Sequence, residues 1–282
     1  MSHPAPLQRM PLRYHGGKWR LAPWIISHFP KHVCYVEPYS GSASVLLRKP
    51  ISPIEVYNDM DGGVVNFFKV LREQPNDLCR AIELTPWSRE ELAAAAEPCD
   101  DALEWARRRY VRSFQSRSQT NTKQSPGWKF QKSMQGMNVI RLWNDASHLM
   151  LAAQRIKEVH IEQDEALKVI QRYDTSETLF YIDPPYLYTT RHRSWAGRAY
   201  AHEMDIEAHE ALAETIHHVQ GMVVLSGYDS ELYQSLYSDW NTVSHASTDG
   251  AGNQRKEMLW LNPAVSNALS QLTLFMTRGG ES

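Results

Sequence analysis

In the stretch TLFYIDPPY, residues 178–186, an apolar run ends in an acid, two prolines and an aromatic residue. The run predicts a buried strand over Thr178–Ile182, which ends there because proline cannot donate a hydrogen bond to a neighbouring strand. Each proline also keeps the residue before it extended. We therefore expect one group of residues at the carboxyl end of a strand, where open α/β sheets bind ligands. This group, called here the DPPY tetrapeptide, is Asp183, Pro184, Pro185 and Tyr186.

The DPPY tetrapeptide carries the groups that would hold an exocyclic amine. Such an amine has two hydrogens, and the Asp183 carboxylate and the Pro184 carbonyl can accept both. These bonds orient the nitrogen lone pair toward an electrophilic methyl group. Tyr186 can stack on a base, an interaction of roughly 1–3 kcal/mol. The alternative interpretation is an ordinary proline-rich turn with a surface aspartate and a packing tyrosine.

A second stretch, CYVEPYSGSAS at residues 34–44, has the pattern of a ligand-binding turn. A predicted strand ends in Glu37, a turn of small residues follows, and small residues let the main chain approach a ligand closely. The next predicted strand ends at Asp59, which lies 18 residues after Gly41. A spacing of roughly 20 residues is expected for an acid that binds ribose hydroxyls. Asp59 could equally serve as a helix N-cap.

Short β-branched and aromatic runs alternate with longer helical patterns, which predicts an α/β fold with a mostly parallel sheet covered by helices. The predicted strands are Val33–Glu37, Ile54–Tyr57, Val159–Glu162, Thr178–Ile182, Met222–Ser226, Thr242–Ala246 and Glu257–Leu261. The last two flank the loop Asp249–Asn253 and are predicted to form a hairpin at the sheet edge. The predicted helices are Arg20–Phe29, Gly62–Arg72, Trp143–Lys157 and Ile206–Val219.

The strand–helix alternation stops between Arg72 and Arg141. From Trp105 through Asn144 there is no acidic residue, and the nine basic ones are Arg107, Arg108, Arg109, Arg112, Arg117, Lys123, Lys129, Lys132 and Arg141. The whole chain has a formal net charge of −2, so this block concentrates positive potential on one surface. We interpret residues 72–141 as an inserted, mainly helical lobe between segments 1–71 and 142–282 of a catalytic domain.

A helix in this lobe is predicted to begin near Asp100, whose carboxylate can cap its first turn. At 100° per residue, apolar side chains fall on one face and arginines on the opposite face. The apolar set is Leu103, Tyr110 and Phe114, and the basic set is Arg108, Arg109 and Arg112. The polar stretch Ser116–Gly127 is predicted to be a long loop.

The composition is that of an ordinary globular chain, with 42% hydrophobic and 22% charged residues among 282. Three scattered cysteines are too few for a disulfide framework or a zinc module. No apolar run reaches the length that spans a bilayer. We expect a cytoplasmic protein with neither a metal nor a membrane partner.

Together these stretches resemble the Dam-type family of adenine-specific DNA methyltransferases, over nearly the whole chain and in the same motif order. The N-terminal YHGGK, residues 14–18, is similar to that family's first cofactor motif. The resemblance implies a seven-stranded, mostly parallel Rossmann-like methyltransferase sheet with an inserted target-recognition lobe. It also implies methyl transfer from S-adenosylmethionine to the amino group of an adenine flipped out of duplex DNA. A bacterial or phage-encoded enzyme is expected.

By this resemblance the DPPY tetrapeptide is catalytic and a larger set binds the cofactor. The cofactor set is Tyr14, Gly17, Lys18, Glu37, Pro38, Tyr39, Gly41, Ser42, Ala43, Asp59, Asp164 and Asp183. Asp164 resembles the acid that reaches the cofactor's adenine, although a helix cap is an alternative for it. The family's turn commonly reads Phe-x-Gly-x-Gly, whereas this chain has Tyr39 and Ala43 at the first and last places.

Lysines and arginines of the lobe are expected to neutralise DNA phosphates, which gives affinity and salt dependence without sequence information. The loop after the tetrapeptide also mixes basic and aromatic groups and is predicted to close over the flipped nucleotide, with a solvated surface loop as the alternative. The predicted DNA-binding residues are Arg108, Arg109, Arg112, Arg117, Lys123, Lys129, Lys132, Arg191 and Arg193.

Asp183 favours adenine over other amino nitrogens. Relatives that act on cytosine usually begin the tetrapeptide with serine, and relatives that act on protein glutamine begin it with asparagine. An RNA adenine methyltransferase and a non-catalytic DNA-binding regulator on the same fold are the remaining alternatives. The sequence predicts neither the recognised DNA site nor the oligomeric state.

Overall fold

A computed structural model describes residues 7–97, 99–117, 127–130, 143, 145–187, 203–248 and 254–278. The strands are β1 (Cys34–Glu37), β2 (Ile54–Asn58), β3 (His160–Glu162), β4 (Thr178–Ile182), β5 (Met222–Tyr228), β6 (Asn241–Thr248) and β7 (Gln254–Leu261). The helices of the described residues are α1 (Ala22–Ile26), α2 (Gly62–Glu73), α3 (Pro75–Glu83), α4 (Arg89–Ala94), α5 (Ala102–Gln115), α6 (Ser147–Arg155), α7 (Ala166–Tyr173), α8 (Ile206–His217), α9 (Glu231–Leu236) and α10 (Pro263–Arg278).

The seven strands form one sheet in the order β3-β2-β1-β4-β5-β7-β6. The first five strands of the chain pair in parallel, and β7 pairs antiparallel with both β5 and β6. The predicted α/β class, with a mostly parallel seven-stranded sheet, is therefore confirmed. The chain winds to one side of β1 through β2 and β3 and then crosses to β4 on the other side. The carboxyl ends of β1 and β4 thus meet at a topological switch point, which is where such sheets bind ligands.

The predicted C-terminal hairpin is present. Strand β6 is longer than predicted at both ends, and β7 begins before the predicted Glu257 and ends at Leu261 as predicted. The register pairs Asn241 with Leu261 at one end and Thr248 with Gln254 at the other. Residues 249–253 of the connection lie outside the described residues. Because β7 enters the sheet between β5 and β6, it carries its side chains next to the end of β5, close to the DPPY tetrapeptide.

Both faces of the central strands are buried, which explains why they read as continuous apolar runs. Alternate residues belong to two hydrophobic clusters, one on each face, because successive strand side chains point in opposite directions. Leu179 and Tyr181 belong to one cluster and Phe180 and Ile182 to the other. The rigid sheet between these two clusters positions the residues that follow β1, β2 and β4.

The described part of residues 72–141 packs against α2 and shares its hydrophobic cluster. Tyr110 of α5 stacks on Phe114 with ring centroids 4.4 Å apart and on Phe67 of α2 at 6.2 Å. The cap of α5 is Asp101, whose Oδ1 accepts a hydrogen bond from the Glu104 amide at 2.7 Å. The prediction of Asp100 as the cap was wrong by one residue. Asp100 and Asp101 are both aspartates, so the sequence pattern does not distinguish them as caps.

Two other helices are shorter than predicted. The segment Arg20–Phe29 contains only the five-residue α1, and Trp143–Lys157 contains α6 from Ser147 to Arg155. The helix before residue 72 ends at Glu73, so the predicted boundary of the inserted lobe falls within the last turn of α2.

Candidate active site

A cavity of about 310 Å³ opens at the carboxyl edge of the sheet. Its walls are the N-terminal segment 14–18, the turn after β1, Asp59 after β2, and Asp183 with Pro185 after β4. The first turn of α7 and the start of α8 complete it. Residues from both halves of the chain therefore meet around one space at the topological switch point.

Glu37 ends β1 and contributes a buried carboxylate to the cavity wall, with only 2% of its surface exposed. Its Oε1 accepts a hydrogen bond from the Tyr35 hydroxyl at 2.5 Å. The net pKa of Glu37 is raised to about 8, mainly by burial and to a smaller extent by Asp183, against the lowering effects of the Tyr35 hydroxyl, the Leu46 amide and Lys49. Lys49, the cation that lowers the pKa of Glu37, is itself hydrogen-bonded to Glu55. The cavity thus holds an acid that has no bonded cation among the described residues.

The turn after β1 brings the main chain close to the N-terminal segment. Gly41 has φ +49°, and a Cβ added there would stand 2.9 Å from a ring carbon of Tyr14. Only glycine combines this left-handed backbone with so close an approach. Ala43 also has a positive φ, 55°, which among the described residues no other non-glycine adopts. Ala43 occupies the last place of the family's Phe-x-Gly-x-Gly pattern, where glycine avoids this strain.

Asp59 connects the ends of β1 and β2. Its Oδ2 accepts a hydrogen bond from the Gly41 amide at 2.8 Å, and its Oδ1 accepts one from the Asp61 amide at 2.8 Å. Burial raises the pKa of Asp59 to about 6. The N-cap of α2 is Asp61, whose Oδ1 accepts from the Gly63 amide, so the cap alternative for Asp59 does not hold.

The buried Lys18 and the partly buried Asp183 form an ion pair between the N-terminal segment and the end of β4. The Lys18 Nζ lies 3.1 Å from Asp183 Oδ2 and donates a hydrogen bond to the Gly16 carbonyl at 2.9 Å. Asp183 Oδ1 is buried and has no hydrogen-bond partner among the described residues. Asp183 lines the cavity; one of its carboxylate oxygens is paired with a cation, while the other is a buried acceptor without a partner among the described residues.

Tyr186 is buried and does not line the cavity, in contrast to Pro185. The Lys18 Nζ lies 4.7 Å from the centre of its ring, and the Tyr228 ring meets it edge-on at 4.6 Å. Its hydroxyl is 3.3 Å from Ser226 Oγ and 3.3 Å from Glu257 Oε2. Sequence reasoning missed Glu257, although an acid at the head of the apolar run EMLWL was a visible signal.

Asp164 lies next to the cavity but does not line it. Its Oδ2 is 2.7 Å from an Arg172 nitrogen, and its Oδ1 accepts from the Glu165 amide at 2.8 Å. Asn58 holds the main chain here, accepting from the Asp164 amide and donating to its carbonyl. The residues that reach the cavity from this segment are Glu165, Ala166 and Leu167.

Two of the predicted DNA-binding arginines of α5 form ion pairs with acidic side chains of the protein itself. Arg109 lies 3.1 Å from Asp61 and 5.7 Å from the centre of the Tyr14 ring, so it connects the lobe to the cavity. Arg108 pairs with Glu104 at 2.7 Å. Burial, followed by Arg109, lowers the pKa of Arg112.

Other cations gather beyond the end of α5. Arg117 lies over the Phe130 ring at 4.7 Å, and burial with Arg13 lowers the pKa of Lys129 to about 8. Arg9 and Arg13, which sequence reasoning missed, both lie over the Phe114 ring. The predicted residues Lys123, Lys132, Arg191 and Arg193 lie outside the described residues.

The described part of the chain contains no group of three or more His, Cys, Asp and Glu side chains that could hold a metal ion. It also contains no helix long and apolar enough to cross a membrane.

Comparison with known proteins identifies one family. The family model of the D12 class N6 adenine-specific DNA methyltransferases matches residues 14–249, a span from the first cavity segment into the C-terminal hairpin. No curated protein shows a significant match to the chain.

Proposed function

Because the chain belongs to the D12 class of N6 adenine-specific DNA methyltransferases, we propose that it methylates the amino group of an adenine flipped out of duplex DNA. Membership of the family makes the protein an S-adenosylmethionine-dependent adenine methyltransferase. Extrusion of the base is the added step, since an adenine stacked in a duplex cannot enter a cavity at a sheet edge.

The cavity suits S-adenosylmethionine, whose methionyl part carries an ammonium and a sulfonium cation. Glu37 has no bonded cation among the described residues, and Asp183 Oδ1 has no partner. When bound, S-adenosylmethionine supplies an electrophilic methyl group. Asp59 is the proposed acceptor for the ribose hydroxyls and Asp164 the proposed acid near the adenine end. The remaining contacts are assigned to Tyr14, Gly17, Lys18, Pro38, Tyr39, Gly41, Ser42 and Ala43.

The single observation that carries the catalytic proposal is the divided environment of Asp183. Lys18 fixes one oxygen, and the other is a buried acceptor without a partner. That second oxygen and the Pro184 carbonyl would accept the two hydrogens of the adenine amine and direct its lone pair. The amine loses its proton only as the new bond forms, so the protein contributes mainly orientation and electrostatics.

For the DNA we propose contacts to phosphates from the basic residues of the lobe. Arg112, Arg117 and Lys129 supply positive charge near the end of α5, together with Arg108 and Arg109. Lys123 and Lys132 extend this set along the chain, and Arg191 and Arg193 belong to the loop after the DPPY tetrapeptide. Phosphate contacts position the duplex and carry no base information.

The test incubates the protein with labelled S-adenosylmethionine and either unmethylated plasmid DNA or RNA of the same sequence. We expect N6-methyladenine at a defined DNA site and none in the RNA. Label in the RNA alone would replace the DNA proposal with the RNA alternative, and failure to bind the cofactor by calorimetry would favour the non-catalytic regulator. Asp183→Ala should abolish transfer and retain measurable cofactor binding, with Asp174→Ala as a control away from the cavity.

A further inference from the structure

Glu257 is a buried acid in an otherwise apolar strand. It is 7% exposed and precedes Met258, Leu259 and Trp260 of β7, all of them buried. A buried carboxylate costs several kcal/mol of lost hydration unless it has partners. A strand position of this kind would normally be apolar, so the partners of Glu257 show what the acid does there.

Within the part of the chain that the structure describes, Glu257 hydrogen-bonds Tyr186, and its neighbour on β5 also contacts Tyr186. The sheet register sets Glu257 opposite Tyr228, and Oε2 accepts a hydrogen bond from the Tyr186 hydroxyl at 3.3 Å. The Tyr228 and Tyr186 rings pack in a T-shaped pair with their centroids 4.6 Å apart, and Ser226 Oγ lies 3.3 Å from the Tyr186 hydroxyl. The Tyr186 side chain is therefore held at its hydroxyl by β5 and β7 and at its ring by Tyr228.

Glu257 also acts on the buried cation of the site. Lys18 lies over the Tyr186 ring at 4.7 Å and is paired with Asp183 at 3.1 Å. Burial raises the pKa of Glu257, Lys18 lowers it and Asp183 raises it, so the Lys18 cation offsets part of the cost of burying the Glu257 carboxylate. Lys18 thus contacts an acid that lines the cavity, Asp183, and is attracted electrostatically by one that does not, Glu257.

We propose that Glu257 is a positioning residue for methyl transfer, which holds the Tyr186 hydroxyl and, through that ring, the Lys18–Asp183 pair. The inference rests on the proposed function, since it assumes that Asp183 and the Pro184 carbonyl orient the adenine amine. With Tyr186 fixed, the short, stiff Pro184–Pro185 segment keeps its carbonyl in one orientation. Catalysis by orientation is sensitive to displacements of about 1 Å.

The experiment compares Glu257→Gln, Tyr186→Phe and the double variant with the wild type. Single-turnover methylation is measured at saturating DNA and cofactor, and the cofactor Kd is measured by calorimetry. Each single variant should slow transfer about tenfold with the Kd changed by less than about twofold, because only the orientation of the tetrapeptide is lost. The double variant should be no slower than the slower single variant by more than about twofold. Glu231→Gln, the same change at an exposed glutamate of α9, should keep the wild-type rate.

Three results would overturn the inference. They are a wild-type rate in either single variant, a rate in the double variant equal to the product of the single effects, and a loss of cofactor affinity as large as the loss of rate. If Glu257→Gln does not fold, the rate and cofactor Kd of Tyr186→Phe still test the inference, since this variant removes only the hydroxyl that Glu257 binds. An inactive wild type would instead contradict the proposed function, so the two failures are distinguishable.

Discussion

Glu37→Gln is predicted to remove a pH-dependent destabilisation from the ligand-free protein. The carboxylate is buried at the end of β1, bonded to the Tyr35 hydroxyl and the Leu46 amide, and Lys49 and Asp183 are the charged groups that act on it. Burial raises its pKa from 4.5 to about 8. Between these pH values the folded protein keeps a proton that the unfolded chain has lost. The free energy of unfolding therefore falls as the pH rises, and the loss is complete above about pH 8.

The magnitude follows from the pKa difference. Each tenfold change in an acid dissociation constant corresponds to about 1.4 kcal/mol, so a rise in pKa from 4.5 to about 8 costs the folded protein roughly 4–5 kcal/mol at alkaline pH. About 3 kcal/mol of this cost develops between pH ~5.5 and pH ~8.5. Glutamine has the same shape and no ionisation, so the variant lacks this pH dependence.

The assay is urea denaturation of the wild type and of Glu37→Gln at those two pH values. The stability of the variant relative to the wild type should increase by about 3 kcal/mol at the higher pH. Glu177→Gln, at an exposed glutamate before β4, should show no such increase. A relative stability that is the same at both pH values, within about 0.5 kcal/mol, would refute the reasoning about burial.

Three further predictions concern the turn, the core and the DNA surface. Ala43→Gly should raise the free energy of unfolding by about 0.5–1 kcal/mol, seen as a higher melting temperature, because glycine adopts the left-handed φ of 55° without strain. Arg155→Ala should lower the free energy of unfolding in urea by about 3 kcal/mol, because the buried Glu55, bonded to Arg155 at 2.5 Å, then keeps Lys49 as its one cation among the described residues, beside the Ser52 amide. Arg117→Ala should make the plot of log affinity for duplex DNA against log salt concentration less steep, with a slope about 1 closer to zero, because one phosphate contact is lost.

Each of these has a contrary outcome. A lower melting temperature for Ala43→Gly would mean that the methyl group packs better than its backbone is strained. An Arg155→Ala variant as stable as the wild type would show that the ion pair of Arg155 with Glu55 of β2 does not stabilise the fold. An unchanged salt slope for Arg117→Ala would separate that residue from the DNA.

The class of fold and the end of β4 were readable from the sequence because both are local. The apolar run before Asp183 predicts a buried strand, and Pro184 and Pro185 predict its end, because proline cannot donate a hydrogen bond to a neighbouring strand. The same holds for the turn after Glu37, whose small residues permit close approach. The resemblance in motif order to an adenine methyltransferase family is confirmed by the family match.

Tertiary structure alone decided which distant groups meet. Glu257 reaches Tyr186 across 71 residues because β7 runs antiparallel beside β5 in a register that no local pattern encodes. Lys18 reaches Asp183 because the N-terminal segment folds over the switch point between β1 and β4. The DPPY tetrapeptide was therefore determined by its own residues, whereas the charges and hydroxyls that hold it came from sheet order and packing, which depend on the whole chain.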